Sequence, residues 1–309
     1  MSTVSIVMTT FNGEAYVKEQ VESILSSDYE MFDLHIYDDC SSDNTLSILR
    51  EYEKKHKDKI YVHQNKKNLG VTRNFLNAIC NTTADYIMLC DQDDVWMPEK
   101  ISLTLEKIKS MEGAYSESKP IGVFTDAIVV DNKLNEINRS FFKSSRLNPH
   151  KTSINRLLME NKLIGCTVMI NSSVRDVLKS SKLPEKARFH DGWIALILSS
   201  MGKVGYLEEP TLFYRQHSDN VVGNIGFLSY CKDRITSIKR QKDSLLKSQQ
   251  QAAEFYILYK DLLDEEESKI IKTYAKLNKL DCISKRVEIF RYGFWKTGFI
   301  RNIGVLLLI

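Results

Sequence analysis

The sequence predicts an α/β protein with a doubly wound, mostly parallel central sheet, helices on both faces and a helical extension at the C-terminus. Short β-branched apolar runs alternate with helical patterns through the first hundred residues, as in βαβ units. The first run, "VSIVM", is almost wholly apolar, which is typical of a strand buried on both faces. From residue 227 to 280 the pattern is helical, rich in Lys and Gln, and free of Gly and Pro.

Apolar periodicity then predicts each element in chain order. Strand patterns occur at 4–8, 32–39, 59–65, 84–94 and 121–131. Helical patterns occur at 17–25, 41–56 (with Ser42 or Asp43 as the N-cap), 70–82, 153–161 and 190–202. A strand and turn are predicted at 165–174, and two strands with a turn at Pro210 within 204–220. Two long helices should follow residue 227 and break near residues 264–268.

Composition limits the class of protein. A chain of 309 residues with 43% hydrophobic and 27% charged residues can form one large domain and an appendage. The net charge of +3 divides into −3 for residues 1–229 and +6 for residues 230–309. This asymmetry predicts different surroundings for the two regions.

Cysteine usage and the N-terminus indicate a compartment. The six cysteines include no CxxC pair, which predicts a reducing environment and no structural zinc. The chain enters a strand pattern at once, without the features of a signal peptide, so we expect it to begin near Met1 in the cytosol. No uncharged apolar stretch reaches the roughly 18 residues that a membrane-spanning helix needs.

The stretch "MLCDQDDVWMPEKI" places Asp91, Asp93 and Asp94 directly after a strand. Neighbouring carboxylates repel one another unless a cation offsets the repulsion. Mg²⁺ and Mn²⁺ take carboxylate oxygens and leave positions for the oxygens of a diphosphate. We therefore expect a metal that holds a phosphorylated ligand; a solvated acidic turn is the alternative.

Other polar residues follow the first two strands, at the edge where ligands bind to doubly wound sheets. Asp38 and Asp39 could accept hydrogen bonds from a base or a ribose, or serve only as acids near a helix start. Thr9 and Asn12 could bind the base edge or hold their loop, and Arg73 is either a phosphate contact or a surface residue.

Two later motifs contain candidates for catalysis. In "RFHDGWIAL", Asp191 is a plain N-cap or, if its helix start faces the cleft, a general base, with His190 and Trp193 beside it. In "YRQHSDN", His217 follows Arg215 and Gln216, and its imidazole would suit Mn²⁺ if it is not merely structural.

Together the motifs resemble the family 2 inverting glycosyltransferases with the GT-A fold. The resemblance covers about residues 2–220, in the family's order and approximate spacing, through "VMTTFNG", "YDDCSSDNT", "NLGVTRN", "CDQDDVW", "HDGW" and "YRQHSDN". It implies a catalytic domain at 1–225, with nucleotide-sugar binding in 1–100 and the acceptor and base region in 120–225. Residues 226–309 would form a helical, basic extension.

The resemblance also implies roles for individual residues. A nucleoside-diphosphate sugar donor would be bound by Thr9, Phe11, Asn12, Asp38, Asp39, Asn68, Arg73, Asp91 and Gln92. Mn²⁺ or Mg²⁺ would be held by Asp93, Asp94 and His217, with either of the two acids as the main ligand. Asp191 would be the catalytic base. The acceptor or diphosphate side would include Trp96, His190, Trp193, Arg215 and Gln216.

The pattern is most similar to bacterial rhamnosyltransferases that build cell-wall, capsular or O-antigen polysaccharides, which implies dTDP-L-rhamnose as donor. A UDP-hexose such as UDP-galactose or UDP-glucose is the alternative donor. A nucleotidyltransferase is disfavoured because "TTFNGEAYVKEQ" lacks a Gly- and Lys/Arg-rich loop. A non-catalytic sugar-nucleotide binding scaffold is disfavoured because Asp93, Asp191 and His217 are all present.

The C-terminal segment at 279–309 interleaves Lys and Arg with Phe and Trp and ends in "VLLLI". Such a segment suits the headgroup region of an anionic bilayer. We expect a peripheral position on the inner face of the cell membrane and a lipid-linked glycan as acceptor. Packing on the catalytic domain, or a homodimer through the helices at 235–260, is the alternative. No nucleic-acid-binding signature occurs.

Overall fold

The computed structural model describes residues 3–116, 118–216 and 238–308. Its centre is one mixed sheet in the order β3-β2-β1-β4-β8-β6-β9-β5, with β7 paired to β6. The strands are β1 Val4–Thr10, β2 Phe32–Asp38, β3 Ile60–Gln64, β4 Tyr86–Cys90, β5 Val95–Trp96, β6 Ile121–Val130, β7 Glu136–Asn138, β8 Met169–Asn171 and β9 Lys203–Arg215.

The first half of the sheet has the predicted parallel βαβ arrangement. β1 pairs in parallel with β2 and with β4, and β2 pairs in parallel with β3. β8 then runs antiparallel to both β4 and β6, while β6 and β9 are parallel to each other. Every residue of β1 and of β4 is buried, as their apolar sequences require.

Helices surround the sheet. Before β9 they are α1 Val17–Leu25, α2 Thr45–Lys55, α3 Val71–Asn81, α4 Lys100–Tyr115, α5 Phe141–Ser145, α6 Ile154–Met159, α7 Ser172–Lys179 and α8 His190–Met201. The C-terminal helices are α9 Ile238–Tyr259, α10 Glu265–Lys276, α11 Cys282–Tyr292 and α12 Phe299–Leu308. Residues Gly165–Thr167 form a 3₁₀ turn.

The structure corrects three of the predicted elements. The residues around Pro210 belong to one strand, β9, whose pairing with β6 shifts register between Leu207 and Pro210, so the signal read as a turn is an irregularity within a strand. α2 begins at Thr45 after Asn44, so neither Ser42 nor Asp43 is its N-cap. The segment after β8 continues as a helix from Ser172.

The C-terminal helices share one hydrophobic core with the sheet. The Trp193 ring of α8 contacts the rings of Phe255 and Tyr259 on α9, with centroids 5.2 and 6.1 Å apart. Tyr274 of α10 packs against Phe294 at 5.1 Å. Among the helices in the described ranges, none has the length and apolar character needed to cross a bilayer.

Candidate active site

The carboxyl ends of β1, β2 and β4 meet at one edge of the sheet. β1 pairs with β2 as far as Thr10 opposite Asp38, and with β4 as far as Met8 opposite Cys90. The segments that leave β1 and β2 are joined, because the Asp39 N–H donates to the Thr10 carbonyl at 2.8 Å. Segments far apart in the chain therefore form one surface, at the place where ligands bind to such sheets.

The loop after β1 is held against Gln92. The Phe11 N–H donates to the Gln92 side-chain carbonyl at 2.9 Å, and the Gln92 amide donates to the Phe11 carbonyl at 3.1 Å. A Cβ on Gly13 would overlap the Gln92 side-chain oxygen, so a larger residue at this position would displace the Gln92 side chain. The Phe11 side chain is left 49% exposed, which is unusual for a phenylalanine beside a polar cleft.

Asn12 and Asp38 join the loop after β1 to the loop after β2. Asn12 has a left-handed backbone with φ of +49°, and its side-chain oxygen accepts from the Ser42 N–H at 2.8 Å. Asp38 is fully buried and accepts from the Ser41 hydroxyl at 2.5 Å and from the Thr10 hydroxyl at 3.2 Å. These bonds fix the two loops relative to each other.

Asp39 organises the third loop of the edge, between β3 and α3. Its carboxylate accepts from the backbone N–H groups of Leu69 and Gly70, each at 2.8 Å. It also accepts from the Asn65 amide at 2.8 Å, while the Asn68 amide donates to the Asp39 carbonyl at 3.0 Å. The carboxylate is only 3% exposed, so its observed role is to shape the loop that carries Asn68.

The acids after β4 form a compact cluster. One oxygen from Asp91, one from Asp94 and the Cys166 sulfur all lie within 4.8 Å of one another. Burial raises the pKa of Asp91 well above its ordinary value, and the charges of Asp93 and Asp94 raise it further. Burial and the Asp93 charge raise the pKa of Asp94 to about 7. The cluster thus brings together carboxyl groups that are costly to ionise unless a cation is bound.

This cluster fits a divalent cation. One Asp94 carboxylate oxygen accepts from the Arg215 backbone N–H at 3.1 Å. The other oxygen is buried without a hydrogen-bond partner among the described residues. Hard cations such as Mg²⁺ and Mn²⁺ take such carboxylate oxygens. Burial raises the pKa of the Cys166 thiol well above its ordinary value, so without a metal it is a neutral thiol beside the acids. Asp91 and Asp94, with Asp93 beside them, are therefore the residues that would hold the ion.

Asp191 lies in the first turn of α8 and faces this cluster. Its carboxylate accepts from the Gly192 N–H at 2.5 Å and interacts with the Gly165 N–H and the Asn161 side chain. Burial raises the pKa of Asp191 to about 6, although those hydrogen bonds lower it. The Asp191 charge in turn contributes to the raised pKa of Asp91. The helix begins one residue earlier, at His190 after Phe189, so Asp191 is not its N-cap.

His190 packs beneath Asp191. Its ring stacks on Phe75 with centroids 3.8 Å apart, and burial lowers its pKa to about 3. A Cβ on Gly165 would come 2.7 Å from the His190 Nε2 atom, so glycine lets the 3₁₀ turn approach the start of α8. Neither ring nitrogen has a hydrogen-bond partner in the described part of the chain. The imidazole is consequently neutral near pH 7.

The two tryptophans predicted for the site, Trp96 and Trp193, are interior residues. Trp193 is fully buried against α9, and Trp96 is 3% exposed, with the Lys100 ammonium 4.8 Å from its ring centroid. The Trp96 backbone N–H donates to the Ser23 hydroxyl at 3.0 Å. Their roles on the acceptor or diphosphate side stay predictions, and the observed packing serves to position α8 and the segment after β4.

Arg215 and Gln216 lie at the end of β9. The Arg215 guanidinium donates to the carbonyls of Asp93 and Asn132, each at 2.8 Å, and pairs with Glu19. The Gln216 N–H donates to the Val130 carbonyl at 2.9 Å. Arg215 is 2% exposed and so supports the acidic segment from beneath. Its contact with a diphosphate stays a prediction.

Two more predicted residues can be placed in general terms only, and a third lies outside the described residues. Thr9 is buried within β1, and Arg73 is exposed in the first turn of α3. His217 lies outside the described residues, together with the rest of its motif after Gln216. The start of the predicted helices at Phe227 and the domain boundary predicted between residues 225 and 226 also lie outside them. Their roles in binding stay predictions.

Sequence reasoning missed three residues that shape the cluster: Asn161, Cys166 and Lys100. Asn161 and Cys166 reach the site from the segment between α6 and β8, which reads locally as a helix end and a strand. Lys100 is fully buried, and its ammonium donates to the Thr211 hydroxyl at 3.3 Å. Burial lowers the Lys100 pKa to about 8, although the Asp94 charge acts against this. No local pattern marks any of these three for a site.

The fold and the site define the class of protein, a GT-A glycosyltransferase. The chain is similar to the structure of the mannosyltransferase PcManGT from Pyrobaculum calidifontis in complex with GDP-Man and Mn²⁺, with a TM-score of 0.56 and 14% identity. That similarity covers 99% of this chain and 79% of the other.

Within that class, the chain belongs to Glycosyl transferase family 2, which matches residues 5–164, just over half of its length. It is 25% identical over 233 residues to the dTDP-rhamnosyl transferase RfbG of Shigella flexneri, covering 71% of this chain and 75% of that protein. It is 26% identical over 226 residues to the putative teichuronic acid biosynthesis glycosyltransferase TuaG of Bacillus subtilis, covering 72% and 82%. The chain is therefore a transferase enzyme.

Proposed function

We propose that the protein is a metal-dependent inverting glycosyltransferase that moves L-rhamnose from dTDP-L-rhamnose onto a hydroxyl of a lipid-linked glycan. The observation that carries the catalytic part of this proposal is that Asp191 lies close to the acid cluster. Its charge raises the pKa of Asp91, and its carboxylate interacts with the Gly165 N–H, next to Cys166 of the cluster. A base for the acceptor and a site for the donor diphosphate would thus be close together.

Donor binding is assigned to the three loops at the edge. The exposed Phe11 ring offers a face on which a nucleobase can stack. Asn12 and Asn68 lie in the loops beside it, and Arg73 at the start of α3 is available to a phosphate or ribose oxygen. Asp39 would act by shaping the loop, because its carboxylate already accepts three hydrogen bonds from the protein.

Catalysis follows from the base. Asp191 accepts the proton of the acceptor hydroxyl as that oxygen attacks the anomeric carbon from the face opposite the diphosphate. One bond forms as the other breaks, and the configuration inverts. A divalent cation supplies charge stabilisation for the leaving diphosphate when it is bound. With a pKa of about 6, Asp191 is ionised at neutral pH and is still basic enough to accept a proton.

The sugar is assigned by similarity. RfbG, to which this chain is 25% identical, is named as a dTDP-rhamnosyl transferase, and TuaG is named for teichuronic acid biosynthesis. Both support a role in cell-surface polysaccharide synthesis. A UDP-hexose such as UDP-galactose or UDP-glucose is the alternative donor.

The acceptor side would lie at the cytosolic face of the membrane, with the C-terminal helices against the lipid. α11 exposes Ile283, Val287 and Phe290, spaced to lie on one side of that helix. α12 exposes Phe299, Ile300, Ile303 and Leu307. We call these seven residues the apolar face. Exposed apolar side chains in a region of net charge +6 suit an anionic bilayer.

The test is thermal stabilisation of the full chain by dTDP-L-rhamnose, UDP-galactose, UDP-glucose and GDP-mannose, each with Mn²⁺, with Mg²⁺ and with EDTA. We expect a metal-dependent rise in melting temperature with dTDP-L-rhamnose, followed by release of dTDP when acceptor is added. A rise with a UDP-sugar alone would overturn the rhamnose assignment. Binding without transfer or hydrolysis of any donor would favour the non-catalytic scaffold.

A further inference from the structure

A basic cavity of about 780 Å³ lies between the start of α9, the loop before α8 and helix α12. Its described lining carries six cationic side chains and one acid, Asp243. The cations are Arg188, Lys239, Arg240, Lys247, Lys296 and Arg301. Cationic side chains around one concave space raise the local positive potential, so the lining is suited to a multiply charged anion.

The same cavity has an apolar wall. Met159, Leu245, Val305 and Leu308 contribute to the lining. Leu308 and Val305 belong to α12, whose other side carries the exposed residues of the apolar face. An anion with an attached hydrocarbon chain could therefore place its charge among the cations and its chain along α12.

The cavity wall is connected along the chain to the candidate base. Arg188 lies three residues before Asp191, and Met159 lies two residues before Asn161, whose side chain interacts with Asp191. The Thr72 hydroxyl donates to the Arg188 carbonyl at 3.4 Å, so this loop also contacts the start of α3 beside Arg73. The two segments that hold Asp191 thus continue into the cavity wall.

Two of the cations are held in place by the protein. The Arg188 guanidinium donates to the Ser244 hydroxyl at 3.0 Å, and the Arg301 guanidinium donates to the carbonyls of Ser145 and Arg146. Arg301 also pairs with Glu160 at 3.1 Å, which neutralises part of its charge. A prepared arginine needs little reordering to bind phosphate oxygens.

We infer that this cavity binds the diphosphate of a lipid-linked acceptor, with the polyprenyl chain leaving along α12. This assignment rests on the proposed function, because it names the chemistry of the acceptor for the same site. It places the diphosphate beside Arg188 and the sugar hydroxyl toward Asp191.

The test measures direct binding of farnesyl diphosphate, inorganic pyrophosphate and farnesol to the full chain by isothermal titration calorimetry, in EDTA so that the metal site does not contribute. The test variant reverses two cavity charges, Lys239→Glu with Lys247→Glu. Lys242→Glu is the matched control, since Lys242 is an exposed lysine of the same helix outside the cavity lining. We expect the double variant to weaken farnesyl diphosphate binding by roughly tenfold or more and the control to bind as the wild type does.

Each other outcome would overturn the assignment. Pyrophosphate binding as tightly as farnesyl diphosphate would indicate an anion site without a lipid. Vesicles of anionic phospholipid are a further probe. If the wild type binds them, the double variant does not, and neither protein binds farnesyl diphosphate, the cations contact the bilayer surface instead. Unchanged binding in the double variant would exclude the cavity. Because nucleotide-sugar stabilisation is measured separately, failure of this site and failure of the transferase proposal give different results.

Discussion

At the scale of single residues, the candidate site depends on carboxylates whose pKa values are raised by burial and by each other. Asp191 and Asp94 are both shifted upward, to about 6 and about 7, yet they have different surroundings. Asp191 accepts hydrogen bonds that favour its ionised form, whereas one Asp94 oxygen lacks a partner in the described residues. This difference suits a proton acceptor in the first case and a cation ligand in the second.

Replacing Asp191 by Asn should remove the base and leave donor binding intact. We expect kcat to fall by about 10²- to 10⁴-fold, the usual contribution of a positioned general base. In the wild type, kcat/KM should fall as pH drops below about 6, because protonated Asp191 cannot accept a proton. The measurement is a pH profile of transfer for both proteins, with donor-induced thermal stabilisation as the binding readout.

The control for this variant is Asp176→Asn, which changes an exposed carboxylate on α7. It should transfer sugar at the wild-type rate. A wild-type rate in Asp191→Asn, or an unchanged acidic limb, would show that another group is the base.

Replacing Asp94 by Asn should stabilise the metal-free protein at high pH. The folded-state pKa of Asp94 is raised, so the folded state binds more protons than the unfolded state and stability falls as pH rises from about 4 through about 7. Above that pH the buried carboxylate is ionised, and its desolvation and its repulsion by Asp93 lower the free energy of unfolding by their full amount. We expect Asp94→Asn to raise the free energy of unfolding at pH 8 in EDTA by about 1–3 kcal/mol, and to change it little at pH 4.

Denaturant unfolding at the two pH values measures this effect. Mn²⁺ should raise the melting temperature of the wild type and not that of Asp94→Asn. If the Asp94→Asn protein is less stable than the wild type at pH 8 in EDTA, the predicted electrostatic penalty is wrong.

At the scale of elements, one buried network attaches the C-terminal helices to the catalytic half. Glu160, after α6, pairs with Lys162 and with Arg301 of α12, and it accepts from the Thr297 N–H at 2.9 Å. Burial opposes ionisation of Glu160, but Lys162, Arg301 and the Thr297 N–H outweigh it and hold its pKa below the ordinary value. The network connects the loop near Asp191 to the helix that lines the basic cavity.

Glu160→Gln should therefore loosen α12. We expect the free energy of unfolding at pH 7 to fall by about 1–3 kcal/mol, because Lys162 and Arg301 lose a buried anionic partner. Since the folded-state pKa is lowered, the stabilisation is present above about pH 4.5 and is lost as pH falls through the folded-state value. Wild type and variant should thus converge at low pH.

Urea unfolding and limited proteolysis of the C-terminal helices measure this change. Glu136→Gln is the control, since its ion pair with Arg139 is exposed and should contribute less than about 1 kcal/mol. Equal losses in the two variants would argue against a tether at Glu160.

At the scale of the whole molecule, the question is what covers the apolar face. The Arg286 guanidinium of α11 donates to the Leu306 carbonyl of α12 at 2.9 Å, so the two helices are attached to each other. A lipid surface or a second copy of the chain could bury their exposed side chains. The net charge of the C-terminal region favours an anionic bilayer. The homodimer predicted through the helices at 235–260 is a different interface and stays a prediction.

Charged substitutions on this face should abolish membrane binding. We expect Ile283→Glu with Phe290→Glu to lower the fraction that sediments with phosphatidylglycerol vesicles by roughly tenfold, because each change places a carboxylate against anionic lipid. Ile257→Glu with Leu262→Glu, at exposed apolar positions of α9 and the turn after it, is the matched control. A wild-type protein that does not sediment with vesicles would contradict the membrane assignment. Elution as a dimer that the test variant disrupts would indicate that a second copy of the chain covers this face.

Local pattern was sufficient for much of this architecture. The alternating strands and helices of the first hundred residues, and the positions of Asp38, Asp39 and Asp91 at strand ends, follow from side-chain periodicity. The parallel sheet then brings those ends together, because parallel strands leave the sheet at one edge. The motif order was sufficient to identify the glycosyltransferase family, which the match over residues 5–164 confirms.

What each acid does was decided by contacts between distant residues. Asp39 reads as a ligand-binding residue, yet its carboxylate is occupied by Asn65, Leu69 and Gly70. Asp191 reads as an N-cap or a base; the start of α8 at His190 excludes the N-cap, and the role of base stays a prediction. The basic cavity joins residues from Met159 to Leu308 that no window of sequence contains. Periodicity reports the face on which a side chain lies, whereas burial, pKa and partner depend on which other segments fold against it.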